Sequence, residues 1–312
     1  MYFKEFTSLL FLKNNNLFLK KNQFFKYIYK FAQETLGGRN IGKYPFMKSL
    51  ENFVISNAKT DFVNIDGHKM YLDSKDSLNL SIQDSYEKLE SDLVKQEVKN
   101  EDVVLDVGAN IGYYTLLLAK LVGTKGKVFA FEPAPDNFFL LEKNISLNGY
   151  KNVVLENLAL SNSNGHVDLY LSDESMGWHR IYPSKFCSNN HVKVEMIRLD
   201  DYFKNENIRD TISFIKMDVE GAEFGVLKGM TTILKNNKKL TLLLEFVPHY
   251  IREFGSNPKD LLNFLDEQGF EIFVIEEKSE QIKLVDNFDI LLEKNDICND
   301  LPQRTNLLCK RI

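Results

Sequence analysis

One stretch constrains the fold more than any other, because an apolar run breaks into small residues and then resumes as a helix. Residues 103–107 are Val-Val-Leu-Asp-Val, which suits a strand buried on both faces of a parallel sheet. The chain then passes through Gly108 and Gly112 into the helix-favouring residues 114–120. A strand that turns through glycines into a helix presents backbone N–H groups to a polar or anionic ligand. The stretch therefore predicts a nucleotide-binding turn.

The spacing within this turn separates two kinds of nucleotide. A dinucleotide-binding turn has the order G-x-G-x-x-G, which lets the backbone close on a pyrophosphate. Here the order is Asp106-x-Gly108-x-Asn110-x-Gly112, with an acid before the first glycine and asparagine at the second glycine position. A pyrophosphate, and therefore NAD, fits this turn poorly.

Two acids suggest a different ligand. Asp106 at the strand tip suits an ammonium group, directly or through water, and the glycines let a small uncharged linker pass close to the backbone. Glu132 follows the apolar residues 128–131, and an acid at the tip of the next strand commonly binds ribose hydroxyls. Ammonium, thioether linker and ribose together describe S-adenosylmethionine. We predict that the cofactor is bound by Asp106, Gly108, Asn110, Gly112 and Glu132.

Three motifs together resemble those of the FkbM-like S-adenosylmethionine-dependent methyltransferases. They are Asp-Val-Gly-Ala-Asn-Ile-Gly-Tyr-Tyr-Thr at 106–115, Phe-Glu-Pro at 131–133 and Ile-Lys-Met-Asp-Val-Glu-Gly-Ala-Glu at 215–223. The resemblance covers residues 86–276 and implies O-methylation of sugars, glycan-linked groups or secondary metabolites. It also implies that Asn157 lies beside the adenine and recognises its edge. The alternative for Asn157 is a turn residue that bonds its own backbone.

The order of elements predicts the fold class. Strands and helices alternate without an internal repeat, which predicts an α/β domain with one doubly wound, mostly parallel sheet of the Rossmann-like methyltransferase type and helices on both faces. Before it, Asp66-Gly67 lies between short alternating runs and predicts a hairpin. Residues 84–98 predict a lead-in helix, and residues 305–310 predict a tail strand that closes the sheet. The predicted organisation is a basic N-terminal extension (1–50), the hairpin and lead-in helix (51–100), and the methyltransferase domain (101–312).

A long connection predicts a substrate loop. Residues 166–171 and 192–197 alternate apolar and polar side chains and predict an antiparallel pair. The connection between them contains the chain's single tryptophan, Trp178, followed by His179 and Arg180, and a loop of this length usually has a function. We predict that Trp178 stacks on a sugar or aromatic ring and that Arg180 holds a carboxylate or phosphate. A surface loop with a tucked-in tryptophan is the alternative.

The remaining candidates concern the chemistry. Methyl transfer from a sulfonium is an in-line displacement, so positioning matters most. A hydroxyl acceptor also gains from a base, whereas a carboxylate acceptor is already nucleophilic. We predict Asp218 as the base, with His179 as second choice, and Glu220 and Glu245 as side chains that orient Asp218 or the substrate. Oxygen ligands of this kind bind divalent ions, but the spacing does not require one, and we predict no metal.

The charge of the chain is uneven. Residues 1–50 carry nine lysines and arginines against two glutamates, although the whole chain has a net charge of −5. Within residues 17–36, aromatic and aliphatic side chains share one helical face with lysines opposite. This pattern predicts a helix that docks on the main domain, with peripheral contact to an anionic membrane as the alternative. The acidic balance of the rest argues against nucleic-acid binding.

The cysteines indicate the compartment. Cys187, Cys298 and Cys309 form no C-x-x-C pair, so neither a disulfide framework nor a zinc cluster is expected. A cytoplasmic setting is the default, at the membrane face if residues 1–50 bind lipid. The sequence thus predicts an O-methyltransferase acting on a hydroxyl or carboxylate of a sugar, glycan or lipid-linked saccharide. The alternatives are an NAD-dependent oxidoreductase and a non-catalytic, membrane-peripheral binding module on the same fold.

Overall fold

A computed structural model describes residues 62–83, 85–173, 175–185, 187–204, 206–295 and 303–311. The basic extension predicted over residues 1–50 lies outside this described part. The chain divides into two compact units between residues 86 and 87, and the domain boundaries expected from sequence stay a prediction.

The first unit contains the expected hairpin. β1 (Phe62–Ile65) pairs antiparallel with β2 (His68–Tyr71). Asp66 and Gly67 connect them with φ of 49° and 84°, and two left-handed residues in succession match the twist of a tight hairpin. The prediction is confirmed.

The second unit holds the remaining described elements. Its strands are β3 (Val103–Val107), β4 (Lys127–Phe131), β5 (Val153–Glu156), β6 (Ala159–Leu160), β7 (Gly165–Tyr170), β8 (His191–Ile197), β9 (Ile212–Met217), β10 (Thr241–Phe246), β11 (Glu271–Glu276), β12 (Gln281–Leu284) and β13 (Thr305–Lys310). Its α-helices are α1 (Lys88–Glu97), α2 (Tyr113–Val122), α3 (Pro135–Asn148), α4 (Leu199–Tyr202), α5 (Glu223–Lys228), α6 (Thr231–Asn236), α7 (Pro248–Glu253), α8 (Pro258–Glu267) and α9 (Phe288–Lys294).

The central sheet has the order β12-β11-β13-β10-β9-β3-β4-β5. The strands from β10 to β5 are parallel, and β13 pairs antiparallel with both β10 and β11. The chain moves outward from β3 to β5 and then returns on the other side of β3 as β9. This reversal creates a crevice at the carboxyl ends of β3 and β9, where ligands of such sheets bind. The predicted doubly wound, mostly parallel α/β sheet is confirmed.

The predicted tail strand forms and joins the central sheet between β10 and β11. β13 lies inside the sheet, and β12 takes the edge. The reason lies in three consecutive residues: Leu307, Leu308 and Cys309 are all almost fully buried. Side chains on both faces of this strand are covered, as is typical of a strand inside a sheet that has elements packed above and below it.

Helices cover both faces of the sheet, as predicted. Leu105 and Val107 pack in one apolar cluster with Leu227 of α5. Asp106, between them in the strand, points to the opposite face and accepts a hydrogen bond from Thr115 of α2. The period of two along a strand therefore sends the apolar side chains to one helix layer and the acid to the other.

A smaller sheet has the order β6-β8-β7. β7 and β8 are antiparallel, which confirms the predicted pair, and the Trp178 loop connects them. Within the described ranges, each helix is too short or too polar to cross a membrane.

Candidate active site

The glycine turn after β3 contacts the end of β9 directly. Gly108, Asn110 and Gly112 have φ of 79°, 51° and 96°, so the turn uses left-handed backbone three times. A Cβ atom on Gly108 would lie 1.8 Å from the carbonyl oxygen of Asp218, and the Asp218 N–H donates to the Val107 carbonyl at 2.9 Å. The predicted cofactor turn and the predicted base are therefore neighbours.

Asp106 lies beneath this turn. It is fully buried, and its Oδ2 accepts a hydrogen bond from the Thr115 hydroxyl at 2.5 Å. The register of β3 and β9 places it beside Lys216. Burial raises the pKa of Asp106, although Lys216 acts in the opposite direction. Its Oδ1 has no hydrogen-bond partner among the described residues.

Glu132 has a structural role that the sequence did not suggest. Its Oε2 accepts the N–H of Asn110 at 2.8 Å, and its Oε1 accepts the N–H of Ala134 at 2.9 Å. The carboxylate therefore ties the tip of β4 to the glycine turn. Burial raises the pKa of Glu132 to about 7, and the two N–H donors oppose the shift. Each carboxylate oxygen retains a second lone pair for a further donor.

Asn157 anchors the loop after β4. Its Nδ2 donates to the carbonyls of Glu132 at 2.7 Å and Pro133 at 3.1 Å. The amide nitrogen thus bonds backbone that is distant in the chain, and not the local backbone of its own turn. The Asn157 side-chain oxygen is the atom left to meet an adenine edge.

The three predicted catalytic acids meet at the carboxyl ends of β9 and β10. One carboxylate oxygen from each of Asp218, Glu220 and Glu245 lies within 4.8 Å of the others. Lys216 donates to Asp218 Oδ2 at 3.1 Å. Burial opposes the charge of Lys216, but the acids around it, Asp218 foremost, raise its pKa.

Two arginines complete the charge balance of this cluster. Arg180 pairs with Glu220 at 3.0 Å. Arg304 pairs with Glu245 at 3.1 Å and with Glu220 at 3.4 Å. Burial raises the pKa of Glu245 well above its ordinary value, and Asp218 adds to that shift while Arg304 opposes it. Together with Lys216, the arginines place three cations beside Asp218, Glu220 and Glu245.

The structure corrects the prediction for Arg180. Its side chain is fully buried, donates to Ser184 Oγ at 2.8 Å and stacks on the Tyr250 ring at 3.9 Å. Its backbone pairs with Tyr170, which folds the loop back on β7 and turns the arginine inward. The guanidinium therefore holds Glu220 and is not available to a substrate carboxylate or phosphate.

Trp178 and His179 remain at the site. Arg304 lies over the Trp178 ring at 5.6 Å, so the partly buried indole adjoins the acid cluster. The Nδ1 of His179 accepts the N–H of Ser172 at 3.0 Å. In a neutral imidazole with an accepting Nδ1, the proton is on Nε2. His179 is therefore poorly arranged to act as a base.

The Trp178 loop lies against the glycine turn. Asn137 of α3 donates to the Met176 carbonyl at 2.9 Å. A Cβ on Gly177 would lie 3.3 Å from Asn110 Nδ2. The loop predicted to bind substrate and the turn predicted to bind cofactor are thus brought together by the fold.

Sequence reasoning missed three residues of the site. Glu87 accepts a hydrogen bond from the Tyr114 hydroxyl at 2.7 Å, and burial raises its pKa to about 7. Tyr114 belongs to the first motif, which is the one signal that could have found it. Glu87 and Arg304 lie far from any motif, and only the tertiary fold brings them close.

A family model for the methyltransferase FkbM domain matches residues 106–272, which is more than half of the chain. The chain belongs to the FkbM methyltransferase family. S-adenosylmethionine is therefore its methyl donor, and the NAD-dependent alternative is set aside.

Relatives of known description include the hexuronic acid methyltransferase AglP of Haloferax volcanii, which is 32% identical over 56% of this chain. This chain covers 66% of AglP, just under two thirds of its length. The methyltransferase sdnD of Sordaria araneosa is 28% identical, with 54% of this chain and 73% of that protein aligned.

Solved structures that align with the chain include an S-adenosylmethionine-dependent O-methyltransferase from Thermotoga maritima. It is 17% identical, with a TM-score of 0.41 over 84% of this chain and 81% of that one. A methyltransferase from Aquifex aeolicus is 18% identical, with a TM-score of 0.37 over 72% of this chain and 89% of that one.

The residues at the turn suit this cofactor. Asp106 Oδ1 and Asn110 Oδ1 are buried acceptors without a hydrogen-bond partner among the described residues, and S-adenosylmethionine carries ammonium and hydroxyl donors. An orphaned buried acceptor costs free energy of about 1–3 kcal/mol. Donors that reach these oxygens would recover that cost.

Proposed function

We propose that this protein is an O-methyltransferase that transfers a methyl group from S-adenosylmethionine to a hydroxyl or carboxylate of a sugar, glycan or lipid-linked saccharide. The observation that carries the proposal is the acid cluster of Asp218, Glu220 and Glu245, which adjoins the glycine turn through Gly108. The similarity to AglP, a hexuronic acid methyltransferase, supports a sugar as the acceptor.

The cofactor-binding roles follow from the geometry of the turn. Asp106 and Asn110 would accept from the amino acid end or the ribose, Glu132 from ribose hydroxyls, and the bare backbone of Gly108 and Gly112 would allow close approach. When bound, S-adenosylmethionine supplies a methyl carbon whose bond to sulfur breaks, with the electron pair left on sulfur, as the acceptor oxygen bonds to it. Positioning by the protein is the main contribution to such a displacement.

Asp218 is the best candidate for the base that takes the proton of an acceptor hydroxyl. Its side chain is 30% exposed, whereas those of Glu220 and Glu245 are 6% and 8% exposed. Its Oδ2 is held by Lys216, which leaves Oδ1 for the acceptor. Glu220 and Glu245 are positioning residues in this proposal, because both are fixed by Arg304.

Cofactor binding is tested by thermal unfolding of the full chain. S-adenosylmethionine and S-adenosylhomocysteine should raise the melting temperature, and NAD should not, because a ligand stabilises the state that binds it. Absence of a shift with either methyl-donor ligand would contradict the proposal and support the non-catalytic binding module.

The base is tested with Asp218→Asn. The variant should bind S-adenosylhomocysteine with unchanged affinity and lose about 10²–10⁴ in turnover, measured as tritium transferred from methyl-labelled cofactor into a saccharide extract. The control Asp210→Asn changes an aspartate whose side chain is 51% exposed and should keep normal turnover. Near-normal turnover of Asp218→Asn would remove this residue from the role of base.

The proposal also includes a cellular location, which is the cytoplasm at an anionic membrane face. The cysteine pattern supports a cytoplasmic setting, and the basic composition of residues 1–50 supports contact with an anionic membrane face. The full chain should then sediment with phosphatidylserine vesicles at low salt and not with phosphatidylcholine vesicles. Equal sedimentation with both would contradict an electrostatic attachment.

A further inference from the structure

The antiparallel strand β13 brings an arginine to the ligand end of the central sheet. The first residue of β13, Thr305, lies opposite Phe246 at the carboxyl end of β10. Arg304 directly precedes Thr305. Ligands of such sheets bind at the carboxyl ends of the parallel strands, so Arg304 lies on the side of the sheet where ligands bind. It also lies beyond residue 272, where the family match ends.

The three cations beside the acid cluster differ in exposure. The side chain of Arg180 is 0% exposed and that of Lys216 is 10% exposed, whereas that of Arg304 is 41% exposed. A molecule that enters the site can therefore reach Arg304, while protein atoms enclose the other two cations.

Arg304 has donors to spare for such a molecule. Its Nη1 donates to Glu245 at 3.1 Å, and its Nη2 donates to Glu220 and to the Tyr250 hydroxyl, both at 3.4 Å. A guanidinium has five N–H groups. The Nε–H and one N–H of Nη1 find no acceptor among the residues that the structure describes. Arginine donors of this kind bind the oxygens of carboxylates and phosphates.

Two aromatic rings hold this guanidinium in place. Its central carbon lies 5.6 Å from the centroid of the Trp178 ring and 5.5 Å from that of the Tyr250 ring. A cation within about 6 Å of an aromatic face is attracted to it. Because the planar group is already fixed, little side-chain freedom is left to lose when it binds an anion.

The carboxylates around Arg304 leave part of its charge uncompensated. Asp218 pairs with Lys216 at 3.1 Å, and Glu220 pairs with Arg180 at 3.0 Å as well as with Arg304. Burial raises the pKa of Glu245 well above its ordinary value, which favours its neutral form. Glu245 then gives Arg304 a hydrogen-bond acceptor without a full negative charge.

We infer that Arg304 is a specificity-determining residue that binds a carboxylate or phosphate group of the acceptor. A hydroxyl of the same molecule lies beside Asp218, and its oxygen takes the methyl group as its proton passes to Asp218. The inference rests on the proposed function and narrows it to acceptors that carry an anionic group. It also gives Arg304 the role that the sequence suggested for Arg180.

The spacing of the two groups fits a single small acceptor. Glu220 contacts Arg304 at 3.4 Å, and one of its carboxylate oxygens lies within 4.8 Å of one from Asp218. Only this carboxylate separates the cation from the proposed base. One acidic sugar, with its anionic group and its hydroxyls a few bonds apart, spans such a gap.

The first test uses the full wild-type chain, methyl-tritiated S-adenosylmethionine and three panels of oligosaccharides of two to four sugars: neutral, uronic-acid-containing and phosphate-containing. Label should enter an acidic panel in preference to the neutral one, and the panel that is labelled distinguishes a carboxylate from a phosphate. Mild alkali hydrolyses a methyl ester but not a methyl ether, so label in the uronic-acid panel should resist it.

The second test uses variants of Arg304. Arg304→Met should raise the KM for the acidic acceptor by about tenfold or more, because it removes a hydrogen bond to a charged group. The preference for acidic over neutral acceptors should fall with it, and the affinity for S-adenosylhomocysteine should not change. Arg304→Lys keeps the charge and should retain more of the preference. Arg198→Met is the matched control, since Arg198 is 35% exposed and pairs with Asp201, and it should behave like the wild type.

Several results would overturn the inference. Preferred labelling of the neutral panel would do so, as would alkali-labile label in the uronic-acid panel or an unchanged acidic preference in Arg304→Met. A loss of kcat in Arg304→Met at equal KM would assign Arg304 a structural role only. Intact S-adenosylhomocysteine binding without label in any panel would also overturn the inference. A wild type that does not bind S-adenosylhomocysteine would instead refute the proposed function on which it rests.

Discussion

Gly108→Ala tests the closest approach in the active site. Gly108 combines a left-handed φ of 79° with a position where an added Cβ would lie 1.8 Å from the Asp218 carbonyl oxygen and 2.9 Å from its carbonyl carbon. The obstacle is backbone at the end of a buried strand, which cannot rotate aside like a side chain. We expect the turn and β9 to separate, which would disturb both cofactor binding and the position of Asp218.

The expected cost has two parts. Left-handed backbone costs a residue with a Cβ about 1–2 kcal/mol, and overpacking of a filled interior costs about 1–3 kcal/mol. The sum is about 2–5 kcal/mol of unfolding free energy. Gly149→Ala is the matched control, because Gly149 has a φ of 73° and no atom within 4 Å of an added Cβ. Only the first part applies there, and the loss of backbone entropy in the unfolded chain is common to both variants.

Urea unfolding of the two variants gives the comparison, and calorimetric titration with S-adenosylhomocysteine gives the functional readout. Gly108→Ala should unfold at lower urea than Gly149→Ala and should lose cofactor affinity, whereas Gly149→Ala should bind normally. Equal destabilisation of the two variants would refute the reasoning, because it would mean that the turn does not rest on Asp218.

Two other changes probe the buried charges. Arg180→Met should lower the unfolding free energy measured in urea by about 3–5 kcal/mol, because it leaves Glu220 short of a buried partner. The control Arg198→Met removes a half-exposed surface pair and should lower it by less than about 1 kcal/mol. Similar losses in the two variants would contradict the buried pairing. Burial raises the pKa of Glu132 from 4.5 to about 7, so its contribution to stability is present below 4.5 and is lost as the pH rises through 7. Between about pH 5 and about pH 8 the unfolding free energy of Glu132→Gln should therefore fall less than that of the wild type, and the two falls should differ by at most about 3 kcal/mol. Parallel profiles of unfolding free energy against pH would show that Glu132 does not titrate in this range.

Pairing between residues far apart in the chain explains which site residues could not be predicted from the sequence. Arg180 was expected to face the substrate because it follows Trp178 in a long loop, but pairing with Tyr170 turns it into the protein. Arg304 precedes the tail strand, whose neighbours in the sheet the sequence does not predict. Because that strand lies inside the sheet, it carries Arg304 to Glu245.

The sequence by itself determined the strand, the turn and the order of the alternating elements. These depend on short-range causes: the apolar run at 103–107 favours a buried strand, Gly108 and Gly112 permit left-handed backbone, and Asp106 and Asp218 follow from their places at strand ends. The tertiary structure alone decided which charges pair, such as Arg180 with Glu220 and Arg304 with Glu245. Those outcomes depend on distances between residues far apart in the chain, which are set only when the strands assemble in one register.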